Sequence, residues 1–186
     1  MTKKNIAIIQ RMLSGVYGDK AGLKKIGTDG GFFYALDGYR LVQFSDYSDD
    51  LPLFTEEEKH LCPNYRRYVE DANRQLYSKT VEIPYKAEDI RRWHKHNLRH
   101  DKRIPFCLGI NAVNNRTRCF GINGSFLADA METTKSNRIQ IPDNFTSVLI
   151  QGNGFTWIIM PVMMEWDREC NKTMTIPVIE PEITYL

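Results

Sequence analysis

The sequence predicts an α+β fold in which a helix followed by short antiparallel strands occurs twice, with a helical insertion between the two units. Three observations carry this. Apolar residues recur at helical spacing near the start and again near 125–135. Asp-Gly and Gly-Asn-Gly turn signals separate short β-prone runs. The order of one helix and then three strands appears at the start and again at 124–164. With 186 residues, one domain or one domain with a large insertion is expected, and the core is large enough to need no disulfide or metal.

The first helix is expected over 4–17. Ile6, Ile9, Met12, Leu13 and Val16 form its apolar stripe, Lys3, Lys4 and Arg11 lie off it, and Gly18 is placed to stop it. Residues 23–45 change period, and Asp29-Gly30 and Asp37-Gly38 mark the turns of a β-meander. Residues 46–78 are charge-rich and read as the insertion. Thr55 and Glu58 have capping-box spacing, which predicts a helix from Glu56. Pro63 would break it, and a second helical piece is expected over about 64–77.

A strand follows at 79–84 and a helix from 86, reaching at least Leu98, with Ala87, Ile90, Trp93 and Leu98 as its apolar side. Two strands, "PFCLGIN" and "RTRCFGI", flank an Asn-rich turn at 111–115. A helix in "NGSFLADAMETTKS" turns Leu127, Ala130 and Met131 inward. Strands in "RIQIP", "SVLIQ" and "FTWIIMPVM" complete the unit, with Gly152-Asn153-Gly154 as a turn.

Hydrophobic residues are 42%, charged residues 26%, and the net charge is +2, so whole-chain charge selects no partner and nucleic-acid affinity requires a local patch. Cys62, Cys107, Cys119 and Cys170 form no CxxC pair. Cys107 and Cys119 read as buried thiols, and the compartment as reducing and cytoplasmic. Gln10 and Arg11 interrupt the first apolar run, so it does not read as a signal peptide. No run approaches the roughly 20 residues of a membrane span, so no membrane partner is expected.

The segment 118–163 resembles the end of the last domain of bacterial sliding clamps, the processivity factor (β subunit) of the replicative DNA polymerase. That family has a strand ending in Phe-Asn, a helix of Tyr-Leu-Leu-Asp-Ala-Leu character, and three strands ending in Met-Pro-Met-Arg-Leu. Here Ile122-Asn123, Phe126-Leu127-Ala128-Asp129-Ala130-Met131 and Met160-Pro161-Val162-Met163 stand at those points. "ALDGYRL", 35–41, is similar to the family's Ala-Thr-Asp-Gly-Tyr-Arg-Leu hairpin, whereas 46–117 matches poorly.

The resemblance implies a DNA clamp-like domain over 1–164, interrupted at about 46–78, with helices lining a DNA channel and sheets outside. It makes "TWIIMPVM" an interior-facing or edge strand, and Met160, Pro161, Val162 and Met163 the border of a groove for a partner peptide. It implies Leu127, Met131, Ile158 and Met160 buried together. The chain departs from the family in having room for about one domain rather than three, in Met163-Met164 for Arg-Leu, and in a tail over 165–186. Asp129 and Glu132 also make the 125–135 helix look unfit to face phosphate. The tail holds Pro177 and Pro181 among apolar residues and is expected to lie extended along a surface, over the groove or against 46–78.

The basic segment points independently to nucleic acid. Lys86, Arg91, Arg92, Lys95, Arg99, Lys102 and Arg103 outnumber Glu88, Asp89 and Asp101, and Arg91, Lys95 and Arg99 recur at i, i+4, i+8. Clustered cations release counterions from DNA without sequence preference. The plainer reading is a solvated basic helix face. His96 and His100 have the i, i+4 spacing of a helix metal pair, but lack an HExxH glutamate and sit among cations, so surface histidines are the better reading and no metal or other cofactor is expected. "DLPLF", 50–54, looks like the pentapeptide of clamp-binding proteins; as a plain structural feature, Leu53 and Phe54 would anchor the following helix.

No GxSxG, P-loop or HExxH motif occurs, and Gly27-x-x-Gly30-Gly31 reads as a turn. No Ser, His and Asp spacing argues for a triad, although convergent triads have no fixed spacing, which keeps an unrecognised enzyme site open. The expected function is a non-enzymatic DNA-associated accessory protein with a processivity or scaffold role, of a phage, plasmid or other mobile element. It would close a ring only by homo-oligomerisation. The alternative is a clamp-fold protein-interaction module that no longer binds DNA.

Overall fold

The computed structural model describes residues 1–15, 23–74, 79–99, 106–111, 117–141 and 147–164. The tail over 165–186, His100, Lys102, Arg103, Cys170 and the Asn-rich turn fall outside them. Helix α1 spans Lys3–Ser14, and Thr2 caps it by accepting from the Asn5 backbone N–H. Its C-cap is Gly15, so the helix ends before the expected Gly18. Strands β1 (Gly27–Asp29), β2 (Phe32–Leu36) and β3 (Arg40–Phe44) form the predicted meander. Helix α2 (Tyr65–Arg74), strand β4 (Lys79–Glu82) and helix α3 (Ala87–Arg99) follow. Strands β5 (Phe106–Asn111) and β6 (Thr117–Ile122) precede helix α4 (Gly124–Thr134). Strands β7 (Arg138–Ile141), β8 (Val148–Gly152), β9 (Phe155–Ile159) and β10 (Val162–Met164) close the described chain.

Seven strands form one sheet in the order β1-β2-β3-β9-β8-β7-β4, and β10-β6-β5 form a second. The repeated unit is visible in that order. Three strands after α1 and three after α4 meet where β3 pairs antiparallel with β9, in a register that sets Val42 opposite Trp157 and Phe44 opposite Phe155. The turns of the β1–β2, β2–β3 and β8–β9 hairpins carry residues at positive φ, as their glycines favour. Asn153 and Gly154, both at positive φ, link β8 and β9, as the primed hairpin turns require.

Strand parity divides the core. Ala35, Val42, Phe44, Val148, Ile150, Phe155, Trp157 and Ile159 share one cluster with Ile9 and Met12 of α1, Ile90 of α3 and Leu127 of α4. Tyr34, Leu36, Leu41, Leu149 and Ile158 face the other way and pack with Tyr65 and Ala72 of α2. The sheet is therefore covered on both faces, which explains why β9 reads as a continuous apolar run and not as an alternation.

Four expectations need correction. "FTWIIMPVM" is not one strand. It breaks at Met160-Pro161, with β9 central in the large sheet and β10 pairing β6 at the edge of the small one. Leu127, Met131, Ile158 and Met160 are not buried together. Leu127 and Met131 lie in the first cluster, Ile158 in the second, and Met160 is 54% exposed. The reason is the period of two: Trp157 and Ile159 face α1, α3 and α4, whereas Ile158 faces α2. The helix predicted from Glu56 is a single 3-10 turn, Lys59–Leu61. Half of the capping box is present, since Glu58 accepts from the Thr55 backbone N–H, but Lys25 Nζ also donates to Glu58 and ties this turn to the β1 side of the molecule. In "DLPLF", Leu51 and Phe54 are buried, while Leu53 is exposed and forms a parallel bridge with Ile26. Phe54 thus anchors the segment as the plain reading expected, and Leu51 takes the place assigned to Leu53.

Candidate nucleic-acid interface

Of the predicted patch, Lys86 lies just before α3 and Arg91, Arg92 and Lys95 lie on α3, which packs along α4. The two helices approach closely because residue 124 is glycine: a Cβ there would lie 3.3 Å from His94 Cβ and 3.3 Å from Trp93 Cζ3. Glu88 and Asp89 occupy the first turn of α3, where negative charge suits the helix dipole, and Arg92 pairs loosely back to both. Lys86, Arg92 and Lys95 are exposed. The α3 backbone extends to Arg99.

Arg91 is different. It is half-buried, its Nη2 donates to Asp129 Oδ1 at 2.8 Å, and its Nη1 donates to Glu132 Oε2 at 2.8 Å. Burial opposes its charge, yet the hydrogen bonds to Asp129 and Glu132 outweigh that and raise its pKa. The expected Arg91–Lys95–Arg99 stripe is therefore not uniform, since its first member is held by carboxylates of α4.

Those carboxylates are the centre of a network that reaches three other elements. Asp129 is 0% exposed. Its Oδ1 also accepts from Arg11 Nη2 of α1 at 2.5 Å, and its Oδ2 accepts from Arg40 Nη1 of β3 at 2.8 Å. Arg40, only 6% exposed, donates through Nε to Asp37 Oδ2 and lies 4.0 Å over the Phe126 ring. Asp37 also accepts from the backbone N–H groups of Tyr39 and Arg40, so the turn between β2 and β3 fixes the arginine. Glu132 bridges Lys4 of α1 and Arg91 of α3. Burial opposes its ionisation, but hydrogen bonds from Lys4 and Arg91 hold its carboxyl below the usual range.

Side chains of α1 and α3 thus converge on the carboxylates of α4. Lys4 and Arg11 remain 67% and 53% exposed on α1, beyond the carboxylates that hold them. The acids that seemed to disqualify α4 are covered by cations from its neighbours. Sequence reading of the patch passed over Lys4, Arg11 and Arg40, and one signal was available. Arg40 shares the inward parity of Val42 and Phe44, and Asp129 lies between the inward Leu127 and Ala130. An arginine and an aspartate at inward positions need each other.

His94 is half-buried beside Gly124, and burial lowers its pKa although Asp129 acts in the opposite sense. No group of three or more metal-ligating side chains occurs among the described residues. No helix among them is long and apolar enough to cross a membrane. The predicted groove residues divide at the break after β9. Met160 donates its backbone N–H to the Tyr39 carbonyl at 2.8 Å, and both side chains are exposed. Pro161 is half-buried, and Val162 and Met163 pair across from Gly121 and Phe120 in β6.

No protein-family model and no curated protein matches the chain. Solved structures do. The Helicobacter pylori beta clamp bound to a DNA ligase peptide is similar at 12% identity and a TM-score of 0.54, over 86% of this chain and 63% of that one. A protein described as a DNA polymerase III beta subunit, from Eubacterium rectale, is similar at 12% identity and a TM-score of 0.52, also over 86% of this chain and 63% of that one. The chain therefore spans less than two thirds of the length of these two proteins. At such identity the likeness concerns architecture alone: the fold is α+β and clamp-like.

Proposed function

We propose that this chain is a DNA-associated accessory protein that presents the α1–α4–α3 layer to the phosphate backbone. The observation that carries the reading is the convergence of cations on that layer, on the sheet face opposite α2. Lys4 and Arg11 on α1, Lys86 just before α3, and Arg92 and Lys95 on α3 are exposed. Lysine and arginine on helix faces neutralise phosphates and release counterions, and they do so without reading bases. Arg99, Lys102 and Arg103 extend the proposed contact beyond the side chains described. The role is processivity or scaffolding and not catalysis, carried out in the cytoplasm, with no cofactor. A ring would need further copies of the domain, joined at sheet edges such as β1 and β4. In this reading the domain runs over 1–164, with 46–78 as an insertion and 165–186 as a tail.

The test is binding of duplex DNA at about 50 and 200 mM salt, the range over which phosphate-dominated binding collapses. Replacing Lys86, Arg92 and Lys95 by Glu should abolish binding and leave the melting temperature within a few degrees. If the unaltered protein does not bind at the lower salt and neither does any charge variant, the DNA reading fails.

One observation favours a second reading, an interaction module for an extended apolar peptide. Tyr39 and Met160 are large, exposed and joined by a backbone hydrogen bond. The Helicobacter pylori neighbour is bound to a DNA ligase peptide. Changing Met160 to Glu should abolish capture of a clamp-type peptide and leave DNA binding as it was.

A further inference from the structure

We infer that Glu132 is a built-in competitor for phosphate, which holds Lys4 and Arg91 within the protein and so keeps the DNA affinity of the helix layer low. The inference rests on the DNA reading. Lys4 and Arg91 reach Glu132 from two different helices, α1 and α3, and each pairs with a different carboxylate oxygen. A phosphate on this layer must share these two cations with Glu132 or displace it. The two partners respond differently. Arg91 keeps Asp129 as a second anchor, whereas Lys4 has Glu132 as its one ion-pair partner among the described residues. Lys4 is also the more exposed and carries a long, flexible stem. It is therefore the cation that Glu132 chiefly withholds.

The network makes this restraint local. Asp129 is enclosed by three guanidiniums and is 0% exposed, so it serves the interior. Glu132 is 10% exposed and lies where two solvent-reaching cations meet, so it acts at the surface. Neutralising it changes what the layer offers a polyanion and leaves the Asp129 centre in place.

The experiment uses the full chain and random-sequence duplex DNA followed by fluorescence anisotropy. Glu132→Gln keeps the shape and its acceptor oxygen. It should bind DNA more tightly, with a salt slope steeper by about 0.9 for each cation released, or roughly eightfold per contact at about 0.1 M salt relative to about 1 M. Adding Lys4→Met to Glu132→Gln should remove most of that gain. Glu70→Gln on α2, which packs on the opposite face of the sheet, makes the same change in net charge and should give no comparable gain. Glu132→Met, similar in length and apolar, is the second variant should Gln disturb folding. If the unaltered protein binds and neither Glu132 variant binds more tightly, the inference fails and the DNA reading stands. An equal gain from Glu70→Gln also overturns it. If no variant binds at all, both fail together.

Discussion

Replacing Asp129 by Asn tests whether the buried ion centre is needed to compensate Arg40. The change preserves volume and removes the charge. Arg11 is 53% exposed and Arg91 is half-buried, so both can turn toward water when the carboxylate is lost. Arg40 cannot. It is 6% exposed, held over Phe126, and retains Asp37 through Nε alone, so its Nη1 would face an amide able to offer only one acceptor. Breaking a buried pair on one side costs about 3–5 kcal/mol. The retained Asp37 contact places this case near the lower end, at about 3 kcal/mol. A chain of this size loses roughly 2–4 °C per kcal/mol, which converts to a melting-temperature fall of roughly 6–12 °C.

Thermal melting by circular dichroism and urea titration would measure this, with the slope in urea checking that the unfolded state is unchanged. The decisive comparison is the double variant. If the loss comes from an uncompensated Arg40, then Asp129→Asn combined with Arg40→Met should recover part of it, because an apolar replacement of a buried pair is often neutral. A double variant as unstable as the sum of the two single ones would refute the reasoning. A cost for Asp129→Asn below about 1 kcal/mol would do the same, since it would put Asp129 in the range of a surface pair.

Leu127→Ala and Ile158→Ala should each cost about 2–5 kcal/mol and add without coupling, because the two side chains face opposite sides of the sheet; strong non-additivity by double-mutant cycle would refute that separation. Gly152→Ala should destabilise by well over the roughly 1 kcal/mol typical of a point change, since its Cβ would lie 2.4 Å from the Thr134 carbonyl oxygen at φ 156°, and a melting curve checks it. His94 has a lowered pKa through burial, so the folded state takes up its proton less readily than the unfolded chain. Stability should therefore fall as pH drops below about 6.5, and His94→Gln should remove that contribution. Glu132 has a carboxyl pKa held low by Lys4 and Arg91 against burial, so its contribution is present above the ordinary carboxylate range and is lost on further acidification; Glu132→Gln should flatten that limb of the stability profile.

The repeated helix-and-strands unit was legible because its signals are local. Helical spacing placed α1 and α4, and the turn residues placed the hairpins. What escaped was set by tertiary partners. The continuous apolar run of β9 hid its parity, because α2 covers the second face and leaves no polar alternation to read. The strand break at Met160-Pro161 was masked by apolar residues on both sides, although Pro161 cannot donate to a ladder. Lys25 reaches Glu58 from far along the chain, so the capping box had a competing partner that spacing could not disclose. For the candidate site, the basic run from Lys86 was plain in sequence, but the fate of Arg91 was not. Which cations are spent inward depends on where Asp129 and Glu132 lie in space.

The ion network also bears on how two similar half-units stay in one arrangement. In each half a helix precedes three strands, so the same topology could pair either helix with either set of strands. The helices carry opposite charge: α1 bears Lys3, Lys4 and Arg11, and the corresponding α4 bears Asp129 and Glu132. Arg40 from the first half reaches across the β3–β9 junction to Asp129 of the second, and Lys4 and Arg11 reach Glu132 and Asp129 beside it. A swapped packing would leave Asp129 buried without guanidiniums, at a cost of several kcal/mol per unpaired ion. The network thus links the two halves through Arg40, Lys4 and Arg11, and a packing that broke it would carry the cost of an unpaired buried charge. The carboxylates are paired in joining the halves, and Lys86, Arg92 and Lys95 remain exposed beyond them.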